Sequence, residues 1–155
     1  MQERFMRRAI ALSLENVKAG RGGPFAAVVV RGDEILAEGT NQVTSTNDPS
    51  AHAEMLAVRA ACGKLQHFQL AGCEIYATCE PCPMCLGLIY WARPDRLYYA
   101  NTAEDAAAIG FDDARIYREL QSPRSARSIP MAQILRDEAL AAFRVWQQKP
   151  NKIYY

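Results

Sequence analysis

The chain has 155 residues, half of them hydrophobic and 23% charged, which fits one folded domain with a substantial core. Lys and Arg number 18 against 17 Asp and Glu, and the resulting net charge of +1 argues against a protein built mainly to grip nucleic acid. No apolar run reaches transmembrane length and the amino terminus lacks the apolar core of a signal peptide, so a cytoplasmic protein is expected.

Residues 1–19 interleave Arg4, Arg7, Arg8, Glu15 and Lys18 with apolar positions, and Phe5, Ile10, Ala11, Leu14 and Val17 are spaced to form the buried face of a helix. Gly20 and the Gly22-Gly23-Pro24 run stop it. Residues 25–30 are continuously apolar, the pattern of a strand buried on both faces. After a tight turn at Arg31-Gly32-Asp33, residues 34–39 return as a second, antiparallel strand. Residues 41–50 read as a polar loop, with Asp48-Pro49 as the cap and first-turn proline of an alanine-rich helix over 51–62. A strand over 74–78, a helix over 83–92 and a strand over 96–100 follow. From Asn101 the chain is mostly helical, with a loop at 122–128 and a last helix over 137–148. No repeat or linker divides residues 1–155, and the order of elements predicts a single three-layer α/β domain.

The cysteines are five, an odd number, and two of them form a Cys-x-x-Cys pair, a usage that points to metal or redox chemistry in a reducing compartment. Two segments carry the chemistry: His52-Ala53-Glu54 and Pro81-Cys82-Pro83-Met84-Cys85. Cys82 and Cys85, one helical turn apart, can present both sulfurs to one zinc ion, and His52 can supply a third ligand. Three protein ligands leave a fourth position for water, the catalytic pattern. Glu54, two residues beyond its ligand neighbour, can take a proton from such a water without ligating the metal. His-x-Glu followed by Pro-Cys-x-x-Cys is the signature of zinc deaminases acting on nucleobases. A thioredoxin-like redox pair would leave His52 and Glu54 idle, and a structural zinc site would lack a good fourth ligand. His67 reads as a surface residue, Cys62 and Cys73 as small buried hydrophobes, and Cys79 as packing beside the ligand segment. Arg115, Arg118, Arg124 and Arg127 are interrupted by acidic residues and read as a solvated mixed face.

With these segments goes a run of others: Gly22-Gly23-Pro24-Phe25, Thr40-Asn41, Asn47-Asp48-Pro49, Cys79 through Trp91-Ala92-Arg93-Pro94, Gly110-Phe111-Asp112-Asp113 and a terminus ending in tyrosine. Together they resemble the cytidine deaminase-like superfamily and, within it, the bacterial guanine deaminases, over essentially the whole chain. The resemblance implies an α/β/α fold around a central mixed sheet and zinc-dependent conversion of guanine to xanthine and ammonia, a step of purine catabolism. It implies His52, Cys82 and Cys85 as zinc ligands and Glu54 as proton shuttle. The base pocket it implies has Phe25 stacking on the purine, Asn41 bonding its edge, and Trp91 and Asp113 on the far side. It further implies a homodimer exchanging C-terminal segments, with Tyr155 supplied by the partner subunit. One departure is Ala26, where the family has glycine; its methyl either tightens the pocket floor or faces the core. Within the same fold the competing reading is a tRNA adenosine deaminase, which needs a basic groove for the phosphate backbone. From another class, the competing reading is a non-catalytic zinc-binding scaffold, against which the intact Glu54 counts.

Overall fold

The computed structural model describes residues 2–155, so Met1 of the expected first helix lies outside the described residues. Helix α1 (Gln2–Lys18) buries Phe5, Ala9, Leu12, Ser13 and Asn16. This corrects the expected face: only Phe5 is shared, and Ile10, Leu14 and Val17 point outward, with Leu14 56% exposed. The physical reason lies at the end of the helix. The Asn16 carboxamide, fully buried, donates to the carbonyls of Gly23 and Asn41 at 3.0 and 2.9 Å and so turns a polar residue inward. Hydrophobic spacing alone cannot register such a residue.

Strands β1 (Ala26–Arg31) and β2 (Glu34–Thr40) form the antiparallel hairpin. Gly32 closes its turn at φ +58°, a conformation that suits glycine. β3 (Glu74–Cys79) pairs antiparallel with β1, and β4 (Arg96–Asn101) pairs parallel with β3, giving a mixed sheet of order β2-β1-β3-β4. β1 is buried on both faces because its residues alternate between two cores. Ala26, Val28 and Val30 pack with Phe5, Ala9, Leu12 and Tyr76 in the α1 layer. Ala27 and Val29 pack on the opposite face with Ala53, Ala57, Val58 and Ala61 of α3 (Ala53–Leu65) and Ile89 and Ala92 of α4 (Pro83–Ala92). The chain thus adopts the expected α/β/α layering, and the Ala26 methyl fills the core on the α1 side.

Two local expectations are corrected. The polar stretch after Asn41 contains a short helix, α2 (Val43–Thr46), in which the Ser45 and Thr46 hydroxyls donate to the Gln42 carbonyl. Asp48-Pro49 does not open α3. The Asp48 carboxylate accepts from the Ser50 N–H and hydroxyl at 2.8 and 2.7 Å, closing a local turn, and α3 starts later with His52 at its N-cap. It also runs past Gly63 to Leu65 before a left-handed Gln66 ends it.

Beyond β4 come α5 (Ala103–Ala108), opened by a reciprocal Thr102–Asp105 capping box, α6 (Ala114–Gln121), a 3₁₀ turn (Arg124–Ala126) and α7 (Arg136–Gln148). The chain forms two compact units. The first, ending at Ala114, holds the sheet and both cores. The second, Arg115–Tyr155, contains no buried residue. Among the described residues no helix is long and apolar enough to cross a membrane.

Candidate active site

The starts of two helices meet at one point on the first unit. His52 is the N-cap of α3 and Cys82 the N-cap of α4, both in extended backbone, and neither side chain makes a capping hydrogen bond. Pro83 presets the first turn of α4. Cys85, one turn in, is completely buried. His52 Nδ1 lies 3.6 Å from Cys82 Sγ and 3.5 Å from Cys85 Sγ, and the three ligand-type atoms all sit within 4.8 Å of one another. The hydrogen bond from Cys85 and, after it, that from His52 bring the Cys82 thiol down to about 4 against the opposing effect of burial. The bond to Cys82 raises His52. Cys85 is pushed up, first by its role as donor to Cys82 and then by burial. One imidazole and two thiols are the donor chemistry zinc takes, and among the described residues no fourth ligand joins them. The residues present therefore fit a zinc ion held by three protein ligands.

Glu54 sits in the first turn of α3, only 7% exposed, with Oε2 accepting from Cys85 Sγ at 3.6 Å. Burial is the main force raising its pKa. Its depth depends on how closely α3 lies on β2, and Gly39 sets that distance. A Cβ there would come within 2.2 Å of the Ala53 carbonyl oxygen and 2.6 Å of the Ala57 nitrogen. Gly39 was not singled out by sequence; its signal is a glycine inside a strand pattern, which marks a close backbone approach.

Of the remaining expected site residues, Phe25 is half-buried and packs edge-to-face on Phe111, ring centroids 4.9 Å apart. Phe111 is an unforeseen partner, although it stands two residues before Asp113. Asn41 is buried, and its side-chain oxygen accepts from the N–H groups of Gly23 and Val43 at 3.2 and 3.3 Å. Asp113 is half-buried, and its pKa is raised by burial and then by the Cys82 charge, which ties it electrostatically to the same site. Trp91, in the last turn of α4, is 59% exposed. Tyr155 ends the second unit and is exposed.

The other candidates fall outside the donor cluster. Cys79 is buried and bonds the Thr102 carbonyl at 3.4 Å; burial and then the Glu54 charge push its thiol up to about 11. Cys73 is buried as expected, whereas Cys62 is only half-buried. His67 is exposed and stacks on Phe68. Arg127 donates to the backbone oxygens of Ser122 and Leu120.

Comparison with known proteins gives the family. Residues 1–101 match the family described as the cytidine and deoxycytidylate deaminase zinc-binding region. Guanine deaminase of Bacillus subtilis is 51% identical over 153 residues, covering 99% of this chain and 98% of that one. Its crystal structure superimposes with a TM-score of 0.97 at 50% identity, covering 100% and 99% of the two chains. Guanine deaminase from Nitrosomonas europaea matches with a TM-score of 0.70 at 34% identity, covering 94% and 84%. A tRNA-specific adenosine deaminase from Aquifex aeolicus is 40% identical over 77 residues, about half of each chain (50% and 51%).

Proposed function

Since the chain belongs to the cytidine and deoxycytidylate deaminase zinc-binding family, we propose that its reaction is the hydrolytic deamination of guanine to xanthine and ammonia. The observation that carries the reaction class is the buried Glu54 carboxyl group lying against a His52–Cys82–Cys85 donor cluster that it does not join. Identity of 51% over 153 residues to a guanine deaminase, against 33–42% over shorter stretches to tRNA-specific adenosine deaminases, supports the substrate.

His52, Cys82 and Cys85 would hold zinc, which as a Lewis acid makes water ionise near neutral pH. Glu54 Oε2 accepts the proton given up as water oxygen bonds to the ring carbon bearing the amino group and delivers it to the adjacent ring nitrogen; it then carries the remaining hydroxyl proton to the departing amino nitrogen as the carbonyl forms. The carbon–nitrogen bond breaks and ammonia leaves. Phe25 stacks on the purine face, with Phe111 fixing its ring from the side. Asn41 bonds the edge of the base. Its oxygen is already occupied by two backbone N–H groups, so it presents its NH₂ to an acceptor on the ligand. Trp91 and Asp113 line the far side.

The reading includes a homodimer in which C-terminal segments are exchanged and Tyr155 closes the partner's pocket. What supports it is the second unit's lack of any buried residue, while Ile134, Leu135, Phe143, Val145, Ile153 and Tyr154 are each at least 66% exposed. Apolar surface on that scale marks an interaction face. A single domain completed across the dimer, in a cytoplasm that keeps all five cysteines free, accounts for both features.

The test is ammonia and xanthine release across guanine, adenine, cytosine, their nucleosides, aminotriazines and a tRNA transcript, with zinc measured on the same sample. Guanine turnover is expected. Conversion of adenosine in the transcript with guanine inert would replace this substrate by the tRNA reading.

A further inference from the structure

Asn16 lies on α1, on the opposite side of the sheet from the helices that carry the metal donors and Glu54, yet its side chain reaches the base-binding loops. It is fully buried. Its NH₂ donates at once to the carbonyl of Gly23, seven residues on, and to that of Asn41, twenty-five residues on. Its Oδ1 has no hydrogen-bond partner among the described residues. Leaving a buried polar atom unmatched costs about 1–3 kcal/mol, so the residue is retained for its two donors and not for a balanced network. The two carbonyls belong to the strands of chain that carry the proposed base contacts. Gly23 O also accepts from the Phe25 N–H, the Phe25 carbonyl accepts from the Asn41 N–H, and the Asn41 side chain closes the ring by accepting from the Gly23 N–H. Gly22 belongs to the same ring for a steric reason: a Cβ there would sit 2.2 Å from the Asn41 carbonyl oxygen.

We propose that Asn16 is the positioning residue of the base-reading loops, a clamp that fixes the Asn41 carboxamide as a donor and sets its distance from the Phe25 stacking face. The proposal rests on the reading of Asn41 and Phe25 as base contacts, and it adds a specificity determinant that touches no reacting atom. The Asn16 side chain bonds Gly23 and Asn41 and its carbonyl accepts from the Arg21 N–H, contacts that lie away from α3 and α4, so its loss should weaken guanine recognition and spare the chemistry.

Asn16→Ser keeps one donor and Asn16→Asp keeps the shape with no donor at neutral pH. Steady-state kinetics should show KM for guanine raised about threefold in the first and about tenfold or more in the second, from one and two lost hydrogen bonds. kcat should stay within about threefold, and zinc content should be unchanged. The cycle with Asn41→Ala separates positioning from general stability. If Asn16 acts through Asn41, adding Asn16→Ser to Asn41→Ala leaves KM where Asn41→Ala put it; additive effects overturn the proposal. Gly22→Ala displaces the same carbonyl without altering α1 and should raise KM in the same way; this keeps the test decisive if the Asn16 variants do not fold, because a normal KM in Gly22→Ala then refutes the clamp. Lowered kcat with unchanged KM across the series also refutes it. A wild-type protein that does not turn over guanine would instead defeat the substrate reading, a different and separately visible result.

Discussion

Replacing Gly39 by Ala places one methyl group where α3 and β2 touch. The added Cβ would stand 2.2 Å from the Ala53 carbonyl oxygen, 2.6 Å from the Ala57 nitrogen and 3.1 Å from the Ala57 Cβ. Ordinary contact begins at 3.4 Å, so the backbones must separate by roughly an ångström, and no flexible side chain is there to yield instead. β2 is held in register, with Gly39 opposite Ala27, so the movement falls on the first turn of α3. That turn carries Glu54, and His52 stands at its N-cap position. Overpacking of this kind costs about 1–3 kcal/mol of stability, and a domain of this size loses roughly 2–4 °C of Tm per kcal/mol. A misplacement near 1 Å at the chemistry costs on the order of 10²-fold in rate. Gly39→Ala should therefore melt a few degrees lower, bind zinc more weakly and lose kcat far beyond what its unfolded fraction explains. Calorimetry, metal analysis and turnover on one preparation test this. A variant with wild-type kcat and Tm would show that the close approach does not set the site.

Glu54→Gln should lower turnover by about 10²–10⁴ or more with zinc retained, whereas Cys85→Ala should lose zinc and turnover together; a Cys85→Ala protein with full zinc and full rate would refute the ligand set. The Arg8–Glu38 pair, bonded at 2.7 and 2.8 Å, joins α1 to β2 and lowers the Glu38 pKa, chiefly through the Arg8 hydrogen bond. Its contribution, at most about 1 kcal/mol for a pair this exposed, is present above the ordinary carboxylate value and is lost as pH falls through the lower folded value. Denaturant unfolding of Glu38→Gln should thus differ from wild type at pH 7 and converge with it in strong acid; a gap that persists there would contradict the assignment. Deleting residues 150–155 should leave zinc bound and sharply reduce guanine turnover. Mixing that protein with full-length Glu54→Gln should restore activity, and efficient subunit mixing without restoration would count against an exchanged tail.

The parts of the fold legible in the sequence were those with a strong local pattern. The apolar run of β1 announces burial on both faces, and α4 spans the expected residues 83–92 because Pro83 opens it and Arg93-Pro94 closes it. The donor cluster was legible because Cys-x-x-Cys on a helix start and His-x-Glu on another have few other uses. What could not be read depends on contacts distant in sequence. The inner face of α1 is chosen by Asn16 reaching Asn41, twenty-five residues away. Asp48 offered a plausible cap, and its own bonds to Ser50 proved the stronger local alternative. Gly39 looks like an ordinary strand residue until α3 is laid over it.

Placing His52 at an N-cap puts evolvability and durability in opposition. Ser, Thr, Asp and Asn at that position typically stabilise a helix by about 0.5–2 kcal/mol over residues that cannot cap, and His52 makes no capping bond. Ordinary selection for a sturdier fold would favour replacing it, and His52→Ser is expected to raise the melting temperature of the metal-free chain. The same replacement removes one of only three donors. A lineage released from the need for deamination should therefore drift first at this residue, growing more stable as it loses its chemistry.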